Sequence, residues 1–119
     1  MTEQKNLSKD VVEVKPGIFT IKLGENLQGG SEALDFSNQL YNCKDAGAKC
    51  VIVELKYVKM MNSSGLGMLV SGLTTLKKND IKMVLTDVPE KIQKLLEMTH
   101  LVEVFTIIGT VEEAVENYK

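Results

Sequence analysis

Apolar and polar residues alternate in two short runs near the start of the chain, Val11–Val14 and Ile18–Leu23, with Pro16-Gly17 between them. A period of two marks a strand with one face covered, and Pro-Gly is turn chemistry, so the runs predict a β-hairpin. Gly24–Gly30, rich in glycine and polar residues, predicts a loop. From Ser31 the apolar spacing widens to three and four. Ala33, Leu34, Phe36 (or Ser37), Leu40 and Tyr41 outline an amphipathic helix that Ala46-Gly47 stops. The run "CVIVEL", Cys50–Leu55, is short, apolar and β-branched, as expected of a strand covered on both faces.

A second helix is predicted over Ser63–Lys77, with the stripe Leu66, Leu69, Val70, Leu73 and Leu76 suited to packing on a sheet. Asn79-Asp80 ends it, and Ile81–Thr86 is another strand. Asp87 and Glu90, around Pro89, form a capping pattern for a helix Pro89–Met98. Val102–Ile108 reads as a last strand region, and Thr110 with Glu113 makes a T-x-x-E capping box for a helix Val111–Tyr118. The order is β-β-α-β-α-β-α-β-α. Helices between consecutive strands are crossovers, so the fold class is α/β: a mostly parallel sheet of about five strands with about four helices packed against it. Residues 1–8 are polar and read as a flexible tail, leaving 9–119 as a single domain.

Composition narrows the function. The chain has 119 residues, 44% hydrophobic and 25% charged, an ordinary balance for a soluble globular protein. A formal charge of −2 and a pI near 5.4 oppose nucleic-acid binding, which calls for a basic face. No apolar run approaches the roughly 20 residues that span a bilayer. The polar stretch Met1–Asp10 lacks the apolar centre of a signal peptide, so a cytoplasmic protein without membrane insertion is expected. Cys43 and Cys50, seven apart, fit neither a redox pair nor a zinc site and are expected to be buried small hydrophobes. With His100 as the single histidine and no ligand cluster, no metal, cofactor or catalytic constellation is predicted.

What packing leaves unexplained is "VKMMNSSGLGML", Val58–Leu69. Gly65, Gly67 and Gly72 fall in the helix it opens, where glycine costs about 1 kcal/mol relative to alanine. Asn62 or Ser63 serves as N-cap, which puts Ser64 at the first or second helical position with its hydroxyl outward. Capping needs one of these side chains, not all three. Gly65, Met68 and Gly72 are expected on one face, where missing side chains at 65 and 72 would let a partner's backbone come close. Met60, Met61 and Met68 add soft apolar contact, although one of Met60 and Met61 is expected in the core.

Several stretches in one order carry a resemblance. "VIVELKYVKMMNSSGLGML" is similar to the strand, "LxxVxxMDSSGLG" turn and helix of the STAS domain, the fold of bacterial anti-sigma factor antagonists. "LGE" at Leu23–Glu25 resembles the end of that family's second strand, and "VPEKIQKLLEMTHLVEVFTIIGTVEEAV" its C-terminal third. The resemblance implies a non-enzymatic partner switch. Unphosphorylated, such a protein binds an anti-sigma factor that is itself a GHKL-type serine kinase. Phosphorylated, it lets go, until a phosphoserine phosphatase resets it. By the motif the modified residue is Ser64, supported by Asn62, Ser63 and Gly65. The partner-binding surface is expected to comprise Gly24, Glu25, Met61, Gly65, Gly67, Met68 and Gly72. Three places depart from the family pattern: Asn62 stands where an acidic residue is usual, "NLQGG" at Asn26–Gly30 lacks the acidic residue usual after Gly-Glu, and His100 stands where glycine is usual. A STAS scaffold subunit that is never phosphorylated is the alternative Asn62 favours. A nucleotide or anion binder at the Ser63–Gly67 turn ranks below both, because the G-x-x-x-x-G-K-[ST] phosphate loop is missing.

Overall fold

In a computed structural model, residues 10–119 are described; the expected tail, residues 1–8, lies outside them. Strands β1 (Val11–Lys15) and β2 (Ile18–Lys22) form the hairpin. A two-residue strand β3 (Asn26–Leu27) precedes helix α1 (Ser31–Asp45). Strand β4 (Cys50–Glu54) and a second two-residue strand β5 (Met60–Met61) lead into α2 (Ser63–Lys78). Then follow β6 (Lys82–Thr86), α3 (Glu90–Met98), a 3₁₀ turn Leu101–Glu103, β7 (Thr106–Ile108) and α4 (Val111–Tyr118). The main sheet has the order β1-β2-β4-β6-β7, antiparallel at β1 and parallel elsewhere. The α/β class and the mostly parallel sheet are as the pattern predicted.

Alternation along β2, β4 and β6 sorts the core into two layers. Phe19, Ile21, Val51, Val53, Met83 and Leu85 meet the helical layer that contains Phe36, Leu40, Leu69, Leu76, Ile92 and Leu96. Ile18, Cys50, Ile52 and Val84 face the other way, onto Ala114 of α4. β4 is buried throughout its first four residues, which is why its sequence runs apolar rather than alternating. The sheet thus separates the two cysteines, both free and buried. Burial pushes the Cys43 thiol up to about 12, with Glu13 adding to the rise, and Cys50 up to about 11 against the opposing pull of Lys82. Both therefore stay uncharged and unreactive at neutral pH.

Helix ends follow local chemistry. Gly47 (φ 90) closes α1 in a Schellman turn, its N–H donating to Lys44 O and that of Ala48 to Cys43 O. α2 ends the same way with a non-glycine: Asp80 takes φ 59, and the Ile81 N–H reaches Leu76 O. His100 (φ 62) plays that part after α3, in the left-handed position where glycine would be easier. The Thr110–Glu113 capping box forms in full.

Three expectations change, and one left open is resolved. Asp87 does not cap α3. It sits at φ 53 with its N–H on Gly109 O, and Pro89 occupies the cap position. The strand predicted over Val102–Ile108 begins with a 3₁₀ turn and is extended only at Thr106–Ile108. The Gly24–Gly30 loop contains β3, which pairs in parallel with β5 through Asn26↔Met60 and Leu27↔Met61. Of the two methionines Met61 turns toward the core, while Met60 is left 54% exposed.

Candidate functional site

The amino end of α2 is built from its cap outward. Asn62 has extended backbone (φ −101, ψ −174), and its Oδ1 accepts the Gly65 N–H at 2.9 Å. Its own N–H donates to Leu27 O at 3.2 Å, which ties the cap to β3. Ser63 and Ser64 are therefore the first and second helical residues. Their N–H groups precede the first intrahelical bond and have no partner along the helix. Both side chains are exposed, and neither is needed for the capping bond.

Two glycines let this end sit as it does. A Cβ on Gly65 would overlap the Leu27 carbonyl oxygen and stand 2.6 Å from its carbon, so only glycine lets α2 lie against β3. Gly29 takes φ +92, and a Cβ there would come within 2.9 Å of Ser64 Cβ. The loop before α1 thus passes directly against the serine. Nearby, Glu25 O accepts the Lys59 and Met60 N–H groups at 2.7 and 3.0 Å. The Glu25 carboxylate stands 3.7 Å from Lys59 Nζ in an exposed pair.

The residues expected at the site divide. Asn62, Ser63, Ser64, Gly67, Gly24 and Glu25 are exposed, and Met61 is half-buried. Gly65, Met68 and Gly72 are buried and offer no open surface, which corrects their expected place on a partner-binding face. Gly72 lies where a Cβ would be 2.7 Å from Phe36 Cε2 and 2.9 Å from Leu40 Cδ1. The close approach these glycines allow is therefore internal: β3 at Gly65, α1 at Gly72. Gly67 differs, since a Cβ there would meet open space. Sequence reasoning missed Gly29 and Lys59. The Gly29-Gly30 doublet was the available signal for the first; Lys59 had none.

A model of the STAS domain matches residues 10–114. The chain belongs to the STAS domain family. Solved structures agree in fold. This STAS domain is similar to an anti-sigma-factor antagonist (STAS) domain protein from Planctomyces limnophilus, at 24% identity over 90% of this chain and 94% of that one, with a TM-score of 0.74. It is similar to a sulfate transporter family protein from Wolinella succinogenes at 15% identity, 98% and 94% coverage and TM-score 0.76. It is also similar to the Bacillus cell fate determinant SpoIIAA in its phosphorylated form, at 17% identity, 92% and 97% coverage and TM-score 0.67. At such identities the likeness is one of fold. Among the described residues of this STAS domain no helix is long and apolar enough to cross a membrane, and no three His, Cys, Asp or Glu side chains gather as a metal site.

Proposed function

We propose that this STAS domain is an anti-sigma factor antagonist that works by partner switching. Unphosphorylated, it binds an anti-sigma factor that is a GHKL-type serine kinase; phosphorylated on Ser64 it is released, and a phosphoserine phosphatase restores it. It acts in the cytoplasm as a single domain over 9–119, without cofactor, metal or catalysis of its own. The observation that carries the reading is an exposed Ser64 at the second position of α2, relieved of capping by Asn62.

The energetics of that position suit a switch. A phosphate brings about −1.5 to −2 charges to a helix amino end, where the dipole favours it by about 0.3–1 kcal/mol. The fold therefore tolerates the modification. In an interface the same charge set against a like charge or an apolar surface costs several kcal/mol. A loss of about 2.8 kcal/mol already lowers affinity a hundredfold.

The test is incubation with the cognate kinase and ATP. The expected result is a mass gain of one phosphate, abolished in Ser64→Ala. Ser64→Asp should fold normally and bind the kinase about a hundredfold more weakly; a mimic that binds like wild type overturns the charge account. The second reading, an unphosphorylated STAS scaffold in a transport or signalling complex, is favoured by Asn62 in place of the usual acid and by the fold likeness to a sulfate transporter family protein. No mass gain from a demonstrably active kinase would select it.

A further inference from the structure

A groove of about 370 Å³ runs between β5 and α3, lined by Met60, Met61, Ile92, Leu95 and Met98, with Lys59, Lys91 and Lys94 completing the wall. Two observations say what it accepts. Its apolar lining is left open: Met60 is 54% and Met98 78% exposed. Small-molecule sites instead bury about 70–90% of their ligand. Methionine is the apolar side chain that adapts best to a varied partner. Second, every charged residue in the lining is a lysine. The carboxylates nearest two of them, Glu25 at 3.7 Å from Lys59 and Glu90 at 3.9 Å from Lys94, lie outside the lining in exposed pairs. Exposed pairs of that kind are weak and yield to a better-placed anion.

We infer that the groove receives an acidic amphipathic helix of the partner protein. The helix seats apolar side chains, spaced three and four apart, on the methionine and leucine lining and turns its carboxylates to the lysines. The inference rests on the partner-switching reading and gives the partner its chemistry. β5 runs straight into Asn62, so the groove is continuous in the chain with the turn that carries the proposed switch serine, Ser64. A phosphate on Ser64 adds negative charge at the head of α2, a few residues along the chain from a groove whose lysines select an acidic partner, and like-charge repulsion of that partner is what release requires.

The test needs neither kinase nor modification. The full chain, methyl-labelled at methionine, is titrated with a blocked helical peptide of about four turns, bearing leucines three and four apart and glutamates elsewhere. A lysine-for-glutamate version of the peptide and dodecanoate are the other arms. The glutamate peptide should shift the Met60, Met61 and Met98 methyl signals to saturation. Its affinity should fall about tenfold or more in Lys91→Glu/Lys94→Glu, and again between about 0.05 and 0.5 M salt. Lys91 and Lys94 are exposed, so the double variant keeps its fold, checked by an unchanged melting curve. No shift, equal binding of the two peptides, an unchanged affinity in the double variant, or saturation by dodecanoate alone would each overturn the inference. The mass and mimic experiments at Ser64 stand apart from these titrations, so either idea can fail while the other survives.

Discussion

Gly65 and Gly67 lie two residues apart on α2, yet one is pressed against the β3 backbone and the other looks into solvent. The same contrast extends along the helix. Gly65, Leu66, Met68, Leu69, Gly72 and Leu76 are buried, whereas Ser63, Ser64, Gly67 and Ser71 are exposed. On the inner side small size is a packing requirement. On the outer side it is not demanded by the fold at all, and residues there are free to serve a partner. Glycine in a helix therefore says nothing about function until its surroundings are known.

Substitutions sharpen that contrast, and their expected effects fall in order. Gly65→Ala should be the worst, destabilising by about 3 kcal/mol, because the new methyl meets a carbonyl that cannot move without breaking the β3–β5 pair. Urea unfolding measures it, and a loss under ~1 kcal/mol would mean α2 can slide. Gly72→Ala should cost less, about 1–2 kcal/mol, since the obstructing atoms are the far ends of the Phe36 and Leu40 side chains. Asn62→Ala removes the capping acceptor for the Gly65 N–H and should cost about 1 kcal/mol, partly restored in Asn62→Asp. Gly67→Ala should go the other way, gaining up to about 1 kcal/mol, because a methyl in open space improves helix propensity. Should Gly67→Ala stabilise the domain yet weaken binding of the kinase, the outer side is the partner's; equal binding would confine the interface to the serine end.

Much of this was legible in the residues. The T-x-x-E box at Thr110 and the Gly47 stop are settled within one helical turn, and the local chemistry names them; for α2 it narrows the cap to Asn62 or Ser63, and the fold takes Asn62. Period two in the hairpin and the unbroken apolar run of β4 report how many faces are covered. The features that escaped depend on distant chain. Asn26–Leu27 and Met60–Met61 are too short to carry a pattern and become strands only by pairing with each other. Asp87 looked like a cap because its type and spacing were right, but a turn held by Gly109 O claimed it instead.

The site shows the same division. Ser64's place at the head of a helix came from three neighbouring residues, Asn62, Ser63 and Gly65, and needed nothing else. Which glycines face inward did not, because a helix has no inside until α1 and β3 come to lie against it. Nor did the lysine-rimmed groove, whose walls belong to a two-residue strand and to a helix almost thirty residues further along. The order of the longer elements, the Thr110 box, the Gly47 stop and the place of Ser64 at the head of α2 thus follow from the sequence alone, since hydrogen bonds and periodicity act over a few residues. The direction each small side chain faces, and the groove between β5 and α3, were decided by packing between segments that only the folded chain brings together.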